Sequence, residues 1–512
     1  MRSLVLVFAL FVVASCSVPA WSQTWHRAES DNYVVFAQLD EETIRDVARN
    51  MENYRQTLEK LLPSDAKRGR KLQAYVDADA KRIVWASKKQ LSGFTIAGAE
   101  FSGTFSLYDA QDLPQYRAHA IQFSQASYYT ETGFFRTMPP WFRIGSPATL
   151  STSAVSEEEI YGVANAYLVG VPDLRRPVKK SASAEDIRSV LTTEGSPRRH
   201  KNYPLFYRNS REIARVLLLD ASYAGRLEAY LDALTNGASL DEALAELGDL
   251  NAIAASIKAL KANRNPPVQL IPFEPASLES IDVRPMAKDE IALVAYRFAR
   301  LGGERPKITA KRLAGVAQRF PQSAEAWYEY AAAEYALVRD SLFGGTPDFR
   351  GFGFSNSQII VTSDPYPDRV AWQAVNRALE LDPDHAPARV LKAEIQISRL
   401  LKAFDENLGP EFEAVRTLLE PLAAQPERYP LAAAVAYQSY LEQEIEPTPE
   451  ALDRLGRAFV ANRGVREFRY AYASALARVG QRDEAKLLLL GLLSDPDYRD
   501  AAQAALNQTR VP

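Results

Sequence analysis

Residues 469–496 read RYAYASALARVGQRDEAKLLLLGLLSDP. Tyr472 and Leu476 are four residues apart and therefore share one face of a helix. Gly480 supplies the turn, and Ala485, Leu489 and Leu492 face back from a second helix that stops at Asp495-Pro496. The run Ala374-Val375-Asn376-Arg377-Ala378-Leu379-Glu380-Leu381-Asp382-Pro383 is a second helix of the same kind. Helical patterns also end at Phe320-Pro321 and Gln425-Pro426, where proline opposes continuation of the helix. One helix pair cannot bury its apolar face alone. Recurrent pairs therefore imply a stack with a shared core and a concave surface suited to binding.

This arrangement resembles tetratricopeptide repeats, in which helix pairs interlock small and large residues at fixed offsets. The resemblance covers residues 286–512 and implies an all-α, tetratricopeptide-like helical-repeat solenoid whose partner is a protein or peptide. The repeats are irregular, because Asp340 to Pro367 inserts a long Gly/Phe/Pro loop. Phe349, Phe352 and Phe354 in that loop are candidates for docking a partner or packing onto the solenoid. Ahead of the repeats, residues 263–285 carry Pro266, Pro267, Pro272, Pro275 and Pro285 and are predicted to be an exposed linker. Few contacts should cross such a linker, which predicts two separable halves with binding mainly in the repeats.

At roughly 150 residues per domain, 512 residues suggest about three domains. A hydrophobic content of 47% with 24% charged residues is that of an ordinary globular chain. The net charge of −3, from 61 Lys+Arg and 64 Asp+Glu, argues against a nucleic-acid-coating protein. A single cysteine excludes an intrachain disulfide framework and a cysteine-based zinc cluster. Arg2 followed by the apolar run Leu4 to Ala14 reads as a signal peptide over residues 1–22, too short to span a bilayer. Val18, Ala20 and Ser22 offer ordinary cleavage before Gln23; alternatively Val13-Ala14-Ser15-Cys16 resembles a lipobox and Cys16 would carry a lipid anchor. Both routes place the protein outside the cytoplasm, in the periplasm or cell envelope. No later segment is predicted to cross a membrane.

Residues 24–262 are mixed in pattern. Tyr33-Val34-Val35-Phe36 and Leu72-Gln73-Ala74-Tyr75-Val76 read as strands, as does the Gly-, Thr- and Phe-rich stretch Phe94 to Tyr108. Ile44, Val47, Ala48, Met51, Tyr54, Leu58, Leu61 and Leu62 mark an amphipathic helix ending at Pro63. From His119 onward the pattern is helical, so an α+β domain is predicted.

Trp25-His26-Arg27-Ala28-Glu29-Ser30 with the strand and helix that follow, and then Pro139-Pro140-Trp141-Phe142-Arg143-Ile144-Gly145, resemble the peptidase-MA-like (gluzincin-type) family of exported bacterial proteins. The family pattern there is Pro-x-Trp-Phe-x-Glu-Gly, and Leu150-Ser151-Thr152 takes the place of its aromatic-Ser-Thr ending. A gluzincin needs His-Glu-x-x-His on one helix to hold zinc and activate water, and a downstream Glu as third ligand. None of His26, His119, His200 and His385 has another histidine four residues away. In the register beginning at His119, Ala120 stands at the general base, Phe123 at the second histidine and Ile144 at the ligand Glu. Alanine accepts no proton, and neither Phe nor Ile ligates a metal. The resemblance therefore implies a catalytically dead domain with no metal and no cofactor, in which His119 is an ordinary helix histidine.

Tyr128-Tyr129, Phe134-Phe135 and Trp141-Phe142 form an aromatic group beside the lost site. They are predicted core residues, with Trp141 and Phe142 as weak candidates for lining a remnant peptide cleft. Arg175-Arg176, Lys179-Lys180 and Arg198-Arg199-His200-Lys201 read as solvated basic loops. The function expected is an exported, non-catalytic protein-binding or scaffold protein. The alternative is a zinc-independent hydrolase that reuses the remnant cleft.

Overall fold

The computed structural model describes residues 24–62, 70–77, 93–108, 119–132, 138–156, 166–169, 182–193, 202–263, 268–301, 305–343, 367–401, 408–493 and 498–509. Its N-terminal part is built on a six-stranded mixed sheet. In chain order the strands are β1 (His26–Glu29), β2 (Tyr33–Ala37), β3 (Leu72–Asp77), β4 (Gly93–Ala97) and β5 (Ser102–Leu107). The sheet order is β4-β5-β3-β2-β1 with β9 (Asp282–Pro285) at the far edge. β2, β3 and β5 run parallel, Tyr33 opposite Leu72 and Gln73 opposite Gly103, whereas β1, β4 and β9 are antiparallel to their neighbours. A parallel pair needs a crossover, and helix α1 (Glu41–Leu61) supplies it between β2 and β3. Asp40 caps α1 by accepting the Thr43 amide at 2.8 Å, and the buried residues Ile44, Val47, Ala48, Met51, Tyr54 and Leu58 form its core face.

The central strands are buried on both faces. Tyr33, Val35 and Ala37 join Leu72, Ala74 and Val76 against α1 and the helices that follow. These are α2 (His119–Thr132), α3 (Pro140–Leu150), α4 (Ala184–Leu191), α5 (Tyr203–Leu219), α6 (Arg226–Thr235), α7 (Leu240–Leu247) and α8 (Leu250–Ala262). The alternate residues Val34, Phe36, Tyr75 and Phe105 point the other way and pack with Trp25, Met286 and Val294. On that face Phe36, Tyr75 and Phe105 make an aromatic ladder, with centroids 4.4 and 6.4 Å apart. A second, three-stranded antiparallel sheet pairs β6 (Ala154–Ser156), β7 (Ala166–Val169) and β8 (Gln269–Pro272).

Residues 286–509 are helix-rich: α9 (Lys288–Leu301), α10 (Pro306–Arg319), α11 (Ala324–Phe343), α12 (Arg369–Leu381), α13 (Ala386–Leu400), α14 (Gly409–Ala423), α15 (Pro430–Glu442), α16 (Pro449–Ala461), α17 (Arg466–Arg478), α18 (Arg482–Leu490) and α19 (Arg499–Thr509). Each helix packs on the next, and α9, α11, α13 and α15 also pack on one another in succession. The apolar interior is a row of local clusters rather than one core. Gly480 sits at φ +83° between α17 and α18, the left-handed turn that lets Leu476 and Leu489 meet in one cluster. Among the described residues no helix is long and apolar enough to cross a membrane.

The expected linker at 263–285 is corrected in part: residues 268–285 are mostly exposed, as expected, but they carry two strands, β8 ending at Pro272 and β9 at Pro285, while Pro266 and Pro267 lie outside the described residues. β8 extends the small sheet, and β9 pairs with β1, Asp282 opposite Glu29. The Gln56 and Lys60 side chains donate to the Glu274 and Pro272 carbonyls at 2.7 and 2.5 Å, which ties the same stretch to α1.

Candidate functional site

The turn joining β4 to β5 carries one side of the candidate site, and the helix stack carries the other. Its four residues Gly98-Ala99-Glu100-Phe101 close with the Gly98 amide donating to the Phe101 carbonyl at 2.9 Å. Part of this tip is turned away from solvent. Ala99 is 8% exposed and packs in the cluster formed by α15 to α19. Arg70 fastens it by donating to the Ala99 and Gly98 carbonyls at 2.9 and 3.1 Å and to Asn462 Oδ1, beyond α16, at 3.1 Å.

Glu100, itself exposed, reaches from the tip to the more deeply buried Arg300 and Glu329 of the helix stack. Arg300 donates to Glu100 at 2.6 Å and to Glu329 at 2.9 Å. Arg297 donates to the other oxygen of Glu329 at 2.5 Å, to the Tyr75 hydroxyl at 3.4 Å and to Glu325. The Tyr328 hydroxyl donates to Glu100 at 3.1 Å. His385 caps α13, its Nδ1 accepting the Ala388 amide at 3.2 Å, so Nε2 carries the proton and donates to Glu325 at 2.6 Å.

The electrostatics follow from this packing. Burial alone would raise the Glu329 carboxyl, but Arg300 and Arg297 overcome it and hold the group at about 2. Burial pushes the Tyr328 hydroxyl well above its ordinary value, with Glu100 adding to the effect and Arg300 opposing it. His385 is lowered by burial, with Arg297 adding to this and Asp382 opposing it. The cluster is a fixed, ionised clamp that holds the sheet to α9, α11 and α13.

Beside the clamp is a cavity of about 550 Å³. Ile96 and Phe101 of the hairpin form one wall, and Tyr335, Val390, Glu394 and Arg428 of the helix stack line the other side. Arg428 is exposed at its edge and stacks over Tyr429 at 5.1 Å. Apolar walls with a few charged groups of both signs suit an extended or turned polypeptide better than a small charged metabolite.

The residues singled out in sequence lie elsewhere. His119 is exposed at the first position of α2, and its Nδ1 meets the Ser151 carbonyl at 2.7 Å. Ala120 and Phe123 are half-buried on α2, and Ile144 on α3 packs against the main core. Trp141 and Phe142 are both 0% exposed, which corrects them as cleft-lining candidates. Trp141 instead donates its indole N–H to Tyr230 at 3.3 Å within the core. Among the described residues no group of three or more His, Cys, Asp or Glu side chains lies close enough to hold a metal ion. Cys16, Phe352 and Phe354 lie outside the described residues, as do Phe134 and Phe135.

Glu100, Arg297, Arg300 and Glu329 carry no local motif. Arg300 meets Glu100 across 200 positions, so no stretch of sequence shows the two together. Comparison with family models, curated proteins and solved structures finds no match for this chain.

Proposed function

We propose that this chain is an exported, non-catalytic binding or scaffold protein, with a peptidase-MA-like N-terminal region lacking the zinc apparatus and a tetratricopeptide-like solenoid that takes a protein or peptide segment. The observation that carries this reading is the hairpin tip itself: a four-residue turn of this chain packs through Ala99 against the helix stack, beside a cavity. A surface that accepts one turn of polypeptide, with apolar and charged groups side by side, is suited to accept another. The replacements at Ala120, Phe123 and Ile144 support the non-catalytic part, since none can act as a base or a ligand. The N-terminal apolar run supports export, with a lipid on Cys16 as the alternative to simple cleavage.

A photo-crosslinking residue at Arg428 of the full chain tests this directly. Irradiation in an envelope extract should give a discrete protein or peptide adduct, absent when the same residue replaces Lys258 on α8. The purified chain should carry less than about one-tenth equivalent of zinc and leave casein uncleaved. Casein hydrolysis with no adduct at Arg428 would replace this reading with that of a hydrolase.

A further inference from the structure

On α5, Arg208, Arg211, Glu212 and Arg215 follow at intervals that place all four on one helix face. Lys261 of α8 lies within electrostatic range of Arg208, Arg211 and Glu212. Four cations therefore surround one carboxylate. Glu212 is 6% exposed and is paired with Arg211 at 3.2 Å. Taken by themselves, these five side chains sum to a charge of +3 at neutral pH, from four cations and one carboxylate. Two of its donors have no acceptor among the described residues: Arg208 Nε and Arg215 Nη2 are both buried and unbonded. A buried guanidinium N–H without an acceptor is costly, and proteins rarely keep one that nothing fills.

We propose that this face of α5 is an oxyanion site that takes a phosphate group, held between the Arg208 and Arg215 guanidiniums, with Lys261 adding charge. The forked, planar donors of arginine match the oxygens of phosphate or carboxylate. Two guanidiniums with open donors match a doubly charged phosphate better than a monoanionic carboxylate. Burial pushes the Arg215 guanidinium and the Lys261 ammonium below their ordinary values, and Glu212 only partly opposes it. An anion seated there would accept from both open arginine donors. The chemistry is the same whether the phosphate is free in solution or is the headgroup of an anionic lipid.

The test uses the full mature chain. Inorganic phosphate should bind saturably in a calorimetric titration and raise the melting temperature relative to sodium chloride at equal ionic strength. Arg208→Gln with Arg215→Gln should weaken that binding by at least about tenfold. Flotation with phosphatidylglycerol vesicles, against phosphatidylcholine vesicles, assigns the source: capture that the same variant abolishes marks a lipid headgroup, and phosphate binding without capture marks a soluble ligand. If circular dichroism shows the glutamine variant unfolded, Arg208→Lys with Arg215→Lys keeps the charge and removes the forks, and should still weaken binding. The proposal is overturned if neither phosphate nor phosphatidylglycerol binds, or if binding survives unchanged in the folded variant.

Discussion

His385 is held in one protonation state by two neighbours that want different things from its ring. The Ala388 amide needs a lone pair on Nδ1, and Glu325 needs the proton on Nε2. A second proton would destroy the cap, and burial with Arg297 nearby lowers the pKa in the same sense. The unfolded chain takes up a proton near pH 6.5, where the folded chain does not. The stability His385 contributes is therefore complete above that pH and is lost as pH falls below it. Melting temperatures measured from pH 7.5 to 5.5 should fall, and His385→Asn, which keeps a capping acceptor, should flatten that slope. Glu329 acts lower on the scale: its folded pKa of about 2 lies below the unfolded value, so its share is lost as pH drops from about 4.5 toward 2. Arg300, 10% exposed, bonds both Glu329 and Glu100. Arg300→Met should cost about 3–5 kcal/mol in urea unfolding, because Glu329 would stay buried with half its counter-charge. A loss below about 1 kcal/mol would mean that the clamp contributes no stability. Sequence gave no access to either group, since an isolated His or Arg acquires its meaning from partners brought in by the fold. His119 was legible for the opposite reason: with no second histidine in reach, a single backbone acceptor sufficed to explain it.

Elements with strong periodicity were readable in outline. The helix predicted from Ile44 to Leu62 is α1, and the strands at Tyr33–Phe36 and Leu72–Val76 are β2 and β3. The helix pair around Gly480 is α17 and α18, with the glycine in the left-handed conformation a turn requires. What failed was the proline-rich stretch. Proline blocks helix and central strand, but not the last residue of an edge strand, and both β8 and β9 use it there. The core placement of Trp141 and Phe142 was readable from their aromatic character, but what sets their packing was not. Gly145 shows why: a β-carbon there would lie 2.2 Å from the Ser210 carbonyl oxygen, so the residue sets how closely α3 approaches α5. The packing of Trp141 and Phe142 depends on that approach. Gly145→Ala should force the helices apart and cost about 1–3 kcal/mol. Unchanged denaturant midpoints would show that α3 can shift freely, and the packing of Trp141 and Phe142 would need another explanation.

Taken whole, the molecule joins its halves at the aromatic face of the sheet on Met286 and Val294, at the Glu100 hairpin in the helix stack, and at Arg70 on Asn462. A chain whose regions met only through a flexible linker would unfold in separate steps. This one should unfold as a single cooperative unit, because opening any tie exposes apolar surface and strands Glu329 and Arg297 without the sheet. Scanning calorimetry of the full mature chain should accordingly give one transition. The fragment 286–512 should melt lower than the full chain, since it lacks Tyr75, Glu100 and the Phe36–Phe105 ladder that cover its first helices. Mixing it with residues 23–285 should recover part of the lost temperature, because the ties need no covalent continuity. Two calorimetric transitions, the upper one matching the isolated fragment, would show that the interface carries little free energy. In that case the hairpin would be a removable occupant of the stack, and a partner could displace it at small cost. One transition would instead make the seated hairpin a permanent wall of the cavity, and any partner must then fit the space it leaves.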